Sequence, residues 1–189
     1  MPTEDGSLIN KVANKLSEPP PSAEHGLQGS ILTVAAASYG SRPNADEQTQ
    51  PTGFDPQAAA LFEAVVESAF LVASADGDFD ESEQSAFRHV VISACGGAVM
   101  EQQLTALLAD LEDQLQEDGL DRRVLMLGRT INKPEHAREV LRVAALLAQV
   151  SGGVSDSERQ VLEKLRASFG LNGDAVDRTL EEVKKALTG

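Results

Sequence analysis

A chain of 189 residues with 16 basic and 30 acidic side chains carries a formal net charge of -14, which leaves no basic footprint for a phosphate backbone. A single cysteine excludes an internal disulfide framework. With no tryptophan, one tyrosine and six phenylalanines, the core must come from Leu, Val, Ala and Phe. The start of the chain has no positively charged segment leading into an apolar one, and no 18-residue apolar stretch is expected anywhere. Neither a secretory leader nor a transmembrane helix is expected, and the expected compartment is the cytoplasm. The acidity is local. Between Asp46 and Thr130 there are 17 acidic residues against four arginines, whereas from Ile131 onward nine acidic face nine basic.

Residues 1–53 read as a largely disordered arm. Leu8, Ile9, Val12 and Leu16 could make one or two amphipathic turns, too short to stand alone. A short helix over 27–39 is expected around Ile31, Leu32 and Val34, followed by a linker of Pro, Gly and polar residues to Gly53. The folded domain, 54–189, opens at Asp55-Pro56, an N-cap followed by proline in the first turn. The first helix, to Ser74, is apolar on nearly every face, which predicts a central position. Asp80 with Glu83 forms a capping-box pattern for the next helix, which carries Phe87, Val90 and Val91 and stops at Gly96-Gly97. A third helix runs from about Met100 on a Leu104, Leu107, Leu108, Leu111 stripe. Asp121 is read as the cap of a short fourth, and Pro134 opens the counterpart of the central helix, with Val140, Val143, Ala144, Leu147 and Val150 facing inward. Ser155 with Glu158 repeats the capping box, and a last helix occupies Asp174 to Leu187. No alternating strand pattern appears, so the expected fold is all-α, a compact bundle of about seven helices.

The stretch Ala75-Asp-Gly-Asp-Phe-Asp-Glu-Ser-Glu83 concentrates oxygen donors at a helix–helix junction. It recurs 75 residues later as Val150-Ser-Gly-Gly-Val-Ser-Asp-Ser-Glu158 without a gap, which suggests two related helix-loop-helix halves near 62–95 and 137–170. An EF-hand would need Gly at its sixth position and Glu at its twelfth. Glu81 and Phe87 stand there, so that reading fails.

From about Phe62 to Leu187 the chain resembles the TerB-like domains of tellurite-resistance proteins, a group that includes the N-terminal part of certain membrane-anchored DnaJ-like co-chaperones. The resemblance rests on Ala75, Asp76, Gly77, Asp80 and Glu83, and on their echo in Ser151, Gly152, Gly153, Ser155 and Glu158. It implies a compact helical domain of two related halves, a non-enzymatic bacterial role in tellurite or other stress, and divalent-cation binding at the acidic junctions. That binding would fall on Asp76, Asp78, Asp80 and Glu83. Ser151, Ser155 and Glu158 lack the three carboxylates that a second such site would need.

Two readings of the acidic loop stay open. Asp76, Asp78, Asp80 and Glu83 can hold a hard cation, calcium fitting an all-oxygen set better than zinc. Alternatively, Asp80 and Glu83 only cap a helix while Asp76 accepts backbone N–H bonds across its own turn, work that Ser151, Ser155 and Glu158 could do without a metal. A second function class is a protein-interaction scaffold, in which Glu112, Asp113, Glu117 and Asp118 dock a basic partner. Catalysis finds no support. His25, His89 and His136 form no metal or triad spacing, and Cys95 sits at an apolar helical position.

Overall fold

The computed structural model describes residues 4–21, 29–41, 55–77 and 79–189. Among them are nine α-helices and no strand: α1 Glu4–Ser17, α2 Ile31–Gly40, α3 Pro56–Ala73, α4 Glu81–Ala94, α5 Glu101–Asp118, α6 Leu120–Thr130, α7 Pro134–Ala148, α8 Asp156–Ser168 and α9 Ala175–Thr188. A 3-10 turn, Gln149–Ser151, joins α7 to α8. The seven helices from α3 onward match the expected bundle, and α1 and α2 add two more.

Two helices form the centre. Val65, Val66, Ala69, Phe70, Leu71 and Val72 of α3 are buried, as are Val140, Leu141 and the unbroken run 143–148 of α7. Every residue from Ala64 to Val72 of α3 and from Val143 to Ala148 of α7 is buried, whereas Glu135 and Arg138 near the start of α7 stay exposed. They pack on each other, with α2 against α3, α9 against α7 and α8 against both. By length and composition alone α3 could cross a membrane, contrary to the expectation that no such stretch exists. Its burial marks it as the core helix of this bundle.

Helix ends follow the local chemistry. The Asp55 side chain accepts from the backbone N–H of Gln57 at 2.9 Å, with Pro56 as the first helical residue. Gly119, at φ 78°, ends α5 and precedes α6 directly, so Asp121 lies inside the first turn of α6 and is not its cap. Glu67, a buried carboxylate on α3, is matched by Arg123 of α6 with Nε–Oε1 2.6 Å. Arg123 also holds Asp118 at 3.1 Å. A charge on the central helix must be paired in this way to remain buried.

The N-terminal arm needs a correction. Residues 4–17 are a helix, with Val12 and Leu16 fully buried and Ala13 nearly so. The amphipathic stripe is too short to hold itself up, but it meets α4, α7 and α9. Polar contacts then fasten both ends of the link to α2. Arg142 on α7 donates to the Lys15 carbonyl at 3.0 Å, at the negative end of the α1 dipole. Glu139, one turn earlier, accepts from the Ile31 N–H at 2.5 Å, at the positive end of α2. The expected helix over 27–39 is found as Ile31–Gly40, capped by Ser30. Leu27, His25 and the linker at 42–54 lie outside the described residues.

Candidate functional site

Each of the two junctions is built by a turn and a capping box. At the first, the Glu83 N–H donates to Asp80 Oδ1 at 2.8 Å and the Asp80 N–H donates to Glu83 Oε2 at 3.2 Å. Gly77 sits at φ 84°, a left-handed backbone conformation in the turn after α3 that glycine adopts more readily than residues with a side chain. At the second, the Glu158 N–H donates to Ser155 Oγ at 3.2 Å and the Ser155 N–H donates to Glu158 Oε2 at 2.7 Å. The same reciprocal bonds thus occur in the same register, once with Asp and once with Ser as cap. Ser151 has a different task, its hydroxyl bonding back to the Ala148 carbonyl at 3.1 Å.

The two junctions face each other. The Ser155 hydroxyl points at both oxygens of Asp76, at 3.4 and 3.5 Å, which are long contacts for an O–H donor. Asp76 therefore turns toward the other half, and among the described residues no backbone N–H bonds it across its own turn. Glu158 is buried, with 4% of its surface exposed. Burial raises the pKa of its carboxyl; the bonds from Ser155 oppose that rise, and the charges of Asp76 and Glu83 add to it. Asp76 and Asp80 are exposed, Glu83 is half-buried, and Asp78 lies outside the described residues. A cavity of about 130 Å³ separates α4 from the 3-10 turn, lined by Phe79, Glu83, Phe87, Leu147, Val150 and Ser151 among others. Phe79 fixes the wall on the α4 side, standing edge-on to Phe70 and to Phe87 with ring centres 5.8 and 5.7 Å away.

The donors are carboxylate and hydroxyl oxygens only, a set that suits a hard cation such as calcium or magnesium and offers zinc neither nitrogen nor sulfur. Capping occupies Asp80 Oδ1, Glu83 Oε2 and Glu158 Oε2, and the second oxygen of each carboxylate is not used by the cap. Among the described residues, no three His, Cys, Asp or Glu side chains stand close enough together to grip one ion as placed. A cation would have to draw Asp76 and Glu83 toward Glu158.

Residues 62–181 match the family model described as tellurite resistance protein TerB. The chain belongs to the TerB family. No curated protein and no solved structure matches it. The TerB match covers α4 through α8, and with them both capping boxes, while α1 and α2 lie before it.

Reasoning from sequence alone assigned Glu158 to capping and did not bring it to Asp76. The acidic residues of α5 fall into two groups. Glu112, Asp113 and Glu117 are exposed, whereas Asp118 is half-buried and bonded to Arg122 and Arg123.

Proposed function

We propose that this TerB-family chain is a non-enzymatic stress-response module of the tellurite-resistance kind that takes a divalent cation, calcium foremost, between its two helix junctions. The observation that carries the reading is Glu158. A buried carboxylate facing Asp76 and Glu83 is an unfavourable arrangement of like charges, and a cation between them would reverse its sign. Asp76, Asp80, Glu83 and Glu158 would supply oxygens, Ser155 would hold Asp76 in place, and Asp78 belongs to the same acidic loop. We take α3–α4 and α7–α8 as two copies of one unit, a view supported by the matching capping boxes 75 residues apart. The non-enzymatic reading is supported at Cys95, whose thiol burial pushes up to about 12, leaving no thiolate nucleophile. A lone free cysteine also suits the cytoplasm, which we take as the compartment.

The experiment is calorimetric titration of the whole chain with calcium, then magnesium and manganese, beside Asp76→Asn and Glu158→Gln. One saturable site is expected, with a dissociation constant of about 10⁻⁴–10⁻³ M, the weak end for carboxylate calcium sites. Both variants should weaken it. A flat titration of the unaltered chain, with no rise in melting temperature, would overturn the reading.

A second reading keeps α5 as a docking face for a basic protein. It is favoured by one observation, that Glu112, Asp113 and Glu117 are exposed with no ion pair among the described residues. Binding of this kind weakens with salt and with neutralisation of those three residues.

A further inference from the structure

A helix on the surface of a bundle ordinarily turns polar and charged residues to water. α6 departs from that pattern. Its inner stripe, Val124 and Leu127, is buried, yet Leu125 is 54% exposed and Met126 40%. Of the four large apolar side chains exposed among the described residues, these two are consecutive on one helix. Arg122 lies one turn before them and Arg129 one turn after, both exposed. Arg122 has a contact with Asp118 at 3.3 Å, and Arg129 enters no ion pair among the described residues. Asp121, the one acid of α6, is paired with Lys164 of α8. The outward face of α6 is therefore apolar at its centre and cationic at its ends, in a chain of net charge -14. Its complement lies on the helix before it. Glu112, Asp113 and Glu117 of α5 are exposed and without an ion pair among the described residues. Ala106 and Ala109, also exposed, continue the Asp113–Glu117 stripe at helical spacing. Leu125 and Arg129 are four residues apart, and so are Ala109 and Asp113, about 6 Å along either helix. A large apolar residue followed by a cation thus matches a small one followed by an anion.

We propose that this chain pairs with a second copy of itself, α6 of each copy lying across α5 of the other. Leu125 and Met126 cover the alanine stripe, and Arg129 meets the carboxylates of Asp113 and Glu117. The pairing rests on the reading of α5 as a docking face for a basic protein, and names that basic surface as α6 of a second chain. The occupant is a second copy because the two faces match in charge and in spacing and belong to adjoining helices. α5 and α6 are joined at Gly119 and packed on each other. A twofold axis beside that join brings each α6 over the other copy's α5, so both contacts form at once. Helices of 18 and 11 residues make a small interface, at the weak end of specific association. Two acidic copies also repel over distance. In about 150 mM salt that repulsion is screened beyond roughly 8 Å, whereas charges in contact across the interface are closer than that.

The test is sedimentation equilibrium of the full chain in about 150 mM sodium chloride, beside two charge reversals on the surface. One is Arg129→Glu, and the other combines Asp113→Lys with Glu117→Lys. The unaltered chain should show a monomer–dimer equilibrium at about 10–100 µM, weaker than the micromolar end of standard-sized interfaces. Each reversal alone sets like charges opposite each other and should weaken pairing by about tenfold or more. Mixed in equal amounts, the two variants should pair with each other, because every contact then joins opposite charges. A variant that had merely lost its fold could not be restored by mixing. Leu125→Ser should also weaken pairing, and neither reversal should restore it. A dimer that the reversals leave intact, or that mixing fails to restore, overturns the proposed faces. An unaltered chain that stays monomeric overturns the pairing, and poly-lysine then decides the fate of α5. If that monomer binds poly-lysine and the double reversal abolishes the binding, the docking face stands without the pairing. If the double reversal changes nothing, both readings fall.

Discussion

Glu158 stands where two demands conflict. The backbone of Ser155 needs its carboxylate as an acceptor, while burial and the charges of Asp76 and Glu83 disfavour the ionised form. A carboxyl whose pKa is raised on folding contributes stability that is fully present below its unfolded pKa, about 4.3. That contribution is lost as the pH climbs through the folded value. Glu158→Gln keeps an acceptor for the cap and removes the charge. Without added cation, the variant should melt higher than the unaltered chain at pH 7, and the gap should narrow toward pH 4. Melting curves across that range give the answer, and a gap that widens on acidification would contradict the account. Glu139 shifts in the same direction through burial, but it is present in both chains and cancels in the comparison.

At the scale of the element, the two capping boxes are interchangeable in geometry and unequal in charge. Asp80→Ala and Ser155→Ala each remove the acceptor for an N–H in the first turn and should each cost about 0.5–2 kcal/mol. If Asp80 also serves a cation, its cost should be larger with calcium present than without. If it only caps, the two measurements agree. Denaturant unfolding with and without calcium separates the cases. These boxes were legible in the sequence because cap and partner are three residues apart and the information is local. So were α3 and the later half of α7, whose crowded apolar residues require cover on most sides. α1 was not legible as an ordered helix. Its stripe of Leu8, Ile9, Val12 and Leu16 is marginal by itself, and what completes it is α4 and Arg142, the latter 127 residues from Lys15. The meeting of Asp76 with Ser155 across 79 residues was hidden for the same reason, since periodicity describes faces of helices and says nothing of which turns lie side by side.

Over the whole molecule, the net charge of -14 is concentrated in the first half of the family domain, on the α4 and α5 side. Among the described residues Glu101, Asp110, Glu112, Asp113 and Glu117 of α5 enter no ion pair, and the pairs that are well buried, Glu67–Arg123–Asp118, are screened little by salt. Raising sodium chloride from about 10 to 150 mM shortens the Debye length from roughly 30 to 8 Å and should raise the melting temperature by easing self-repulsion. A fall would mean that the exposed pairs outweigh the repulsion.

Cys95 closes α4 at its C-terminal end, and it is the one cysteine of the chain, buried and with its thiol held at about 12. At neutral pH such a thiol is almost inert toward alkylating reagents while the helix end stays closed. Each opening of that end restores an ordinary thiol to solvent. The protein thus carries a native chemical probe on α4, at the end opposite the acidic cap, and where reclosing outpaces alkylation the rate at which Cys95 is consumed reports the fraction of molecules in which that helix end is open.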